Sequence, residues 1–231
     1  FSAGLAQAGM KPVVALYSTF LQRAYDQLIH DVSLQNANVL VAVDRAGLVP
    51  GDGATHQGIF DAALFSQIDN FKVVSPCNYA ETRYWLKKLL SESGPKAIRY
   101  PRGEEESVLS DLPCTGNEYD LYHFGKESSL FAFVCYGAES AQVLQAAKQR
   151  VKNGEPSIDV LKLCVIHPIS EDIADKLLAY KQIVFVEEGI MRGGIGEHLE
   201  HLLRKSGFAG TYQHIGLPSL GISHASVEQL R

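Results

Sequence analysis

The sequence predicts an α/β protein of two domains, each a parallel sheet covered by helices. Three observations lead there. Short apolar runs of strand length alternate with segments of helical periodicity along the whole chain, the signature of strand–helix–strand units. That alternation lapses once, between about residues 104 and 128. It then resumes over a stretch long enough for a second, smaller domain. The predicted layout is therefore a domain over 1–103, a linker over 104–128 and a domain over 129–231.

Taken in order, Phe1-Ser2-Ala3-Gly4-Leu5-Ala6 reads as the interior of a helix with no cap before it. The segment 227–231 stops in mid-pattern, so both ends are expected to be cut. Strands are predicted at 13–17, 39–43, 72–75 and 97–100, with helices near 20–34, 58–66 and 79–91. The run 39–43 is apolar throughout, as expected of a strand buried on both faces. Asn78 stands three residues before Glu81, a capping-box spacing that fixes the start of the third helix. In the linker, Glu104-Glu105-Glu106, isolated glycines and Pro113 carry neither period, and the acidic triplet reads as a solvated connection. The second domain follows with strands at 130–136, 158–164, 183–187 and 211–215 and helices at 140–151, 170–180 and 195–206.

Composition excludes several classes. At 231 residues, 46% hydrophobic and 20% charged, the chain can bury two modest cores. A net charge of -5 gives no basic face for nucleic acid. No apolar segment approaches the roughly 20 residues that span a bilayer, and no secretory leader pattern opens the chain, so it is expected to be cytoplasmic and not membrane-bound. Cys77, Cys114, Cys135 and Cys164 form no CxxC pair and are expected to be reduced, buried thiols. His198 and His201 lie three apart without further ligand spacing, so no metal site is expected from this chain alone.

The chemistry gathers at predicted strand ends, where the loops of an open α/β sheet supply reactive groups. Tyr17, Phe20 and Arg23 leave the first strand, with Phe20 and Arg23 at helical spacing. An aromatic ring beside a guanidinium suits a flat heteroaromatic cofactor; packing of both aromatics in the core is the alternative. Arg45 follows the second strand and Arg102 the fourth, which puts both on one rim. Two arginines there suit a phosphate dianion, or else each pairs with Asp44 or the acidic triplet. Asp52 and His56 lie four apart in a glycine-rich loop, where imidazole can exchange protons near neutral pH. Gly193-Gly194-Ile195-Gly196 opens a helix and reads more simply as close helix–sheet packing than as an anion site.

Together, Tyr17-Ser18-Thr19-Phe20-Leu21-Gln22-Arg23, Asp44-Arg45-Ala46-Gly47, Asp52-Gly53-Ala54-Thr55-His56-Gln57-Gly58 and Arg99-Tyr100-Pro101-Arg102-Gly103 resemble the 1-deoxy-D-xylulose 5-phosphate synthase family in order and spacing. Glu187-Glu188-Gly189 and the later glycine cluster also fit. The resemblance implies a transketolase-like pyrimidine-binding domain followed by a transketolase C-terminal-like domain. It implies a transferase that condenses pyruvate with D-glyceraldehyde 3-phosphate, with loss of carbon dioxide, on the way to isoprenoids, thiamine and pyridoxal. Thiamine diphosphate would carry the covalent chemistry and Mg2+ would be held by an N-terminal domain outside this chain, in a homodimer. Residue by residue, Phe20 would stack on the aminopyrimidine with Arg23 and Tyr17 beside it. Asp52 and His56 would be the catalytic groups in the substrate pocket, and Arg45 and Arg102 would grip the aldehyde's phosphate. The chain departs from the family in lacking the Ala-Glu-Gln-His motif with its activating glutamate, and in lacking the N-terminal domain. The isolated chain is therefore expected to be inactive. The competing readings are a β-type subunit of a 2-oxo acid dehydrogenase or split transketolase, and a non-catalytic assembly module.

Overall fold

The computed structural model describes residues 1–219 and 221–230, with the backbone alone at Glu228. Arg231, the end of the predicted second domain, lies outside the described residues. Among those described, the strands are β1 (Val13–Tyr17), β2 (Leu40–Asp44), β3 (Lys72–Val74), β4 (Lys96–Arg99), β5 (Tyr119–Phe124), β6 (Phe131–Tyr136), β7 (Ile158–Leu163), β8 (Val165–His167), β9 (Gln182–Ile190) and β10 (Thr211–Leu217). The helices are α1 (Ser2–Gln7), α2 (Tyr25–Gln27), α3 (Asp61–Phe65), α4 (Tyr79–Ser91), α5 (Ser107–Ser110), α6 (Ser140–Lys152), α7 (Glu171–Leu177), α8 (Ile195–Lys205) and α9 (Val227–Leu230).

The strands form two five-stranded sheets, ordered β1-β2-β4-β3-β8 and β10-β9-β6-β7-β5. The apolar run around β2 obtains the interior place it needs, paired in parallel with β1 on one side and β4 on the other. Each sheet is mixed rather than purely parallel. β8 runs antiparallel to β3, and β5 runs antiparallel to β7. β8 comes from the second half of the chain yet edges the first sheet, so the halves are interleaved. One apolar cluster accordingly runs through both, from Val41, Phe65 and Phe71 to Val134, Leu163, Phe185 and Leu199.

The predicted linker contains structure. α5 and β5 lie inside it, and β5 pairs along its whole length with β7. Its inward positions are Asp120, Tyr122 and Phe124, so a charge interrupts the apolar alternation that would have marked it. Asp120 is tolerated because Lys162 of β7, fully buried, sets its ammonium 3.1 Å from that carboxylate and against Glu81 of α4. Burial works against the ammonium, but the Cys164 and Cys77 sulfurs and the Glu81 carboxylate outweigh it and hold the lysine pKa above its ordinary value. The acidic triplet is also tied down: Glu105 accepts from the Tyr79 amide at 2.6 Å, and Glu106 accepts from Gln142 of α6.

Two helices differ from expectation. The segment predicted over 20–34 is a 3-10 turn (Ser18–Ala24), the short α2 and a π turn (Leu28–Ser33). Leu21, Leu28 and Val32 still bury one side of it. The helix predicted over 58–66 begins only at Asp61, because Gly58 is bridged to Gly47. Asn78 caps α4 as read, its Oδ1 accepting from the Glu81 amide at 2.8 Å, but the return bond of a capping box goes one residue further back. The Glu81 carboxylate meanwhile accepts from the Cys77 amide. Cys77, Cys135 and Cys164 are buried free thiols and Cys114 is half-buried; burial pushes Cys135 and Cys164 up to about 12. No helix among the described residues is long and apolar enough to cross a membrane.

Candidate active site

The ends of β1, β2 and β4 open on one rim. β1 ends at Tyr17, and the 3-10 turn that follows keeps Phe20 and Arg23 aligned, since three residues complete one turn. The Phe20 ring stacks on Tyr17, with centroids 5.8 Å apart and planes 18° apart, and meets His56 edge-on at 5.6 Å. The Arg23 guanidinium lies over Phe20 at 5.4 Å. Phe20 remains 38% exposed, so neither aromatic partner covers it, and the core alternative does not describe it.

β2 ends at Asp44, whose carboxylate accepts from the Arg45 amide at 2.7 Å; Arg45 sits in the left-handed region. The chain then forms loop 47–58, closed at its neck by paired bonds between Gly47 and Gly58 of 2.7 and 2.8 Å. Only glycine fits at Gly58, since an added Cβ would fall on the Arg45 carbonyl oxygen and against Ser18. Buried Gln57 bonds both the amide and the carbonyl of Val49, which fixes the loop's interior. At the end of β4, Tyr100 bonds across to Val43 and Ala46, and two residues later Arg102 emerges beside Arg45.

Both arginines converge on Asp52. Arg45 Nη1 and Arg102 Nη1 donate to the same Asp52 oxygen, at 2.5 and 2.7 Å. Arg45 also donates to the Tyr17 hydroxyl at 2.9 Å and lies over its ring at 3.9 Å. The carboxylate that meets both guanidinium groups is thus one not considered for them, where Asp44 and the acidic triplet were. Thr19 donates to the Thr55 carbonyl at 2.7 Å, and Thr55 Oγ1 is 2.9 Å from His56 Nδ1. Tyr17, Phe20, Arg23, Arg45, Asp52, His56 and Arg102 thus form one continuous set of contacts. A cavity of about 650 Å3 opens beside the arginines, lined also by Tyr79, Thr82 and Glu188.

Beneath the rim lies a polar network that the sequence did not disclose. Arg99 Nε donates to Asp61 at 2.7 Å, both side chains buried, and its guanidinium stands over Tyr136. Burial opposes the Arg99 charge, but Asp61 holds its pKa above the usual arginine value. Tyr136 donates to Glu187 at 2.6 Å, and burial with that carboxylate raises the tyrosine pKa well above its ordinary value. Glu187 also accepts from the amides of Ile195 and Gly196 and lies 2.6 Å from His214 Nε2. The start of α8 therefore holds an internal anion. Gly196 packs so closely on Phe185 and His214 that no Cβ fits, in keeping with the packing reading. The glutamate pair within β9, Glu187-Glu188, was the available signal for this network.

His198 Nε2 lies 3.2 Å from Ser66 Oγ. Among the described residues one set of ligand-type groups converges, Glu81, Asp120 and Cys164, and the Lys162 ammonium stands among them.

Comparison with known proteins agrees with this architecture. The transketolase pyrimidine-binding domain matches residues 1–106, and the transketolase C-terminal domain matches 125–231. Similar curated proteins include the 1-deoxy-D-xylulose-5-phosphate synthases of Dechloromonas aromatica, 39% identical, and Thermus thermophilus, 37% identical. These alignments cover 100% and 99% of this chain but 36% of each relative, so the chain spans about a third of their length. Among solved structures, a split-gene transketolase described as an inactive β4 tetramer superposes with a TM-score of 0.80 at 26% identity, over 93% of this chain and 69% of that one. A Campylobacter jejuni transketolase shares the fold, with a TM-score of 0.78 at 17% identity over 99% of this chain and 34% of its own. The chain belongs to the transketolase family and carries, in order, its pyrimidine-binding and C-terminal domains.

Proposed function

We propose that this chain forms the cofactor-ring and acceptor-phosphate part of a 1-deoxy-D-xylulose-5-phosphate synthase, a cytoplasmic transferase that joins pyruvate to D-glyceraldehyde 3-phosphate with loss of carbon dioxide. One observation carries the reading: two arginines from different strand ends meet beside an open aromatic face. Thiamine diphosphate, when bound, supplies the nucleophilic carbon and the electron sink for decarboxylating a 2-oxo acid. The chain's residues fit its ring, since Phe20 offers a partly open face and Arg23 a cation beside it. The diphosphate and Mg2+ are assigned in this proposal to an N-terminal domain supplied from outside this chain, in a homodimer.

Arg45 and Arg102 bind the phosphate. At the contact itself two arginine charges meet the one on Asp52, which leaves one positive charge to face a dianion, while Asp44, Glu104, Glu105, Glu106 and Glu188 also line the adjoining cavity. Asp52 holds both Nη1 groups and Tyr17 takes a hydrogen from Arg45 Nη2, so the two guanidinium groups are fixed side by side. The bond between Thr55 Oγ1 and His56 Nδ1 fixes the ring, and in the tautomer where the hydroxyl donates, Nε2 bears the proton for the aldehyde oxygen.

The test is complementation. The purified 231-residue chain, given both substrates, thiamine diphosphate and Mg2+, should show no turnover, and an N-terminal portion of a synthase added in trans should restore it. Turnover by the chain alone would overturn the half-site reading. A second reading has its own support, because the β chain of the split-gene relative is described as an inactive tetramer. Under that reading this chain is a separately encoded half of a transketolase-like enzyme; restored activity confined to substrates other than glyceraldehyde 3-phosphate would favour it.

A further inference from the structure

The tip of loop 47–58 has little of its own to hold it. Gly51 and Gly53 both have positive φ, of 83° and 77°, and among the described residues the one backbone–backbone bond the tip makes within itself runs from the His56 amide to the Gly53 carbonyl at 3.1 Å. A glycine tip is costly to order, because glycine surrenders more backbone freedom than any other residue. Yet Asp52, which organises both arginines, sits between these glycines. Its carboxylate is only as well placed as the backbone that carries it.

The chain beyond β10 supplies the support. Ile222 is buried against Leu48 and Ile59 in a small apolar cluster that Phe60, Ile190, Leu217, Val227 and Leu230 complete. This anchors the segment under the loop. Two residues on, His224 Nε2 lies 2.7 Å from the Gly51 carbonyl, so the ring nitrogen donates to it. Three residues further, Val227 lines the cavity that Arg45 and Arg102 share. From the other side of the sequence, Arg102 reaches the same turn at the Pro50 carbonyl, at 3.5 Å, and at Asp52.

We propose that His224 is a positioning residue for the acceptor-phosphate site. It fixes the Gly51 carbonyl so that Asp52 stays between the two arginines, and it acts through the loop without touching substrate. The inference rests on the proposed function for what the site binds, but not for the loop's restraint. What the contact requires is an N–H donor, so glutamine can replace the ring and alanine cannot.

The experiment compares the 231-residue chain with His224→Ala and His224→Gln by hydrogen exchange at the His56 amide, which bonds the Gly53 carbonyl, and by calorimetric titration with glyceraldehyde 3-phosphate. His224 is exposed and the Ile222 anchor is untouched, so both variants should keep the parent's melting midpoint. Loss of one hydrogen bond at the tip should speed exchange there and weaken the phosphorylated aldehyde roughly 3- to 10-fold in His224→Ala, and His224→Gln should reverse both. Unchanged exchange in His224→Ala, or an equal effect in His224→Gln, would overturn the proposal. If the parent chain binds no glyceraldehyde 3-phosphate, the reading of the site fails while the exchange data still decide the role of His224.

Discussion

Replacing Arg102 with Ala tests the phosphate reading most directly, because its side chain enters the site from the end of β4 and supports little else. The guanidinium is 43% exposed, and among the described residues its bonds run through Nη1 alone, to Asp52 and Pro50. Nε and Nη2 are left for phosphate oxygens. A hydrogen bond to a charged partner is worth about 1.5–3 kcal/mol net. The Asp52 contact is present before and after binding, so it cancels from the difference. Arg102→Ala should therefore weaken glyceraldehyde 3-phosphate by roughly 10- to 150-fold. Arg102→Lys keeps the charge but not the planar fork and should recover part of the loss. Titration calorimetry on the 231-residue chain reads this, with melting midpoints as a control, since an exposed side chain should move stability by no more than about 0.5 kcal/mol. A loss below threefold, or an equal loss for D-glyceraldehyde without its phosphate, would refute the reasoning.

Lys162→Met leaves the buried Glu81 and Asp120 carboxylates without their cation, which should cost about 3–5 kcal/mol. At this chain length that is a fall in melting midpoint of roughly 6–20 °C, and a fall under 2 °C would show that the triad does not hold the two halves as argued. Gly58→Ala drives a Cβ into the Arg45 carbonyl at the loop neck; it should destabilise by about 1–3 kcal/mol and lower phosphate-ester affinity together with it. His167 in β8 has its pKa depressed by burial, so the unfolded chain takes up a proton near the ordinary histidine value while the folded chain does not. The stability it contributes is therefore present above about pH 6.5 and lost as the pH falls below it. Thermal melts between pH 7 and 5.5 should decline more steeply for the parent than for His167→Gln, and parallel slopes would count against the assignment.

What the sequence discloses follows from where each structural signal is stored. β1 was predicted with its observed bounds, and β2 and β4 each shifted by one residue; β2 is buried along its length, while β1 keeps an apolar run at a half-exposed sheet edge. The rim was legible because residues that follow parallel strands emerge together whatever the helices between them do. β5 was hidden because Asp120 stands at an inward position, and the lysine that makes this tolerable lies far along the chain. β8 is three residues long and joins the sheet of the other half, so no local period marks it. The broken helix after β1 carries the right apolar spacing for a regular one. His224 could not be singled out at all, since a lone histidine in a polar segment looks the same whether it meets solvent or a carbonyl.

The second half of the chain contributes to the site without offering a residue to the proposed chemistry. The Ile190 amide at the end of β9 bonds the Ile59 carbonyl at 3.1 Å, just past the loop neck. Glu188 stands where Gly47 would carry a Cβ, so that side of the neck closes only with glycine present. Ser66 after α3 meets Gly193 and His198, and Ile222 seats beneath the loop. Each contact fixes backbone that carries Arg45, Asp52 or His56, and none needs a cofactor. A phosphate site gains affinity when its donors are ordered before the ligand arrives, because the ordering cost is then met by folding. The proposed function and a non-catalytic assembly module differ in what they ask of the C-terminal domain. Its contacts are directed at the loop that bears the charged groups, where a module kept only for association would direct them at an outer face.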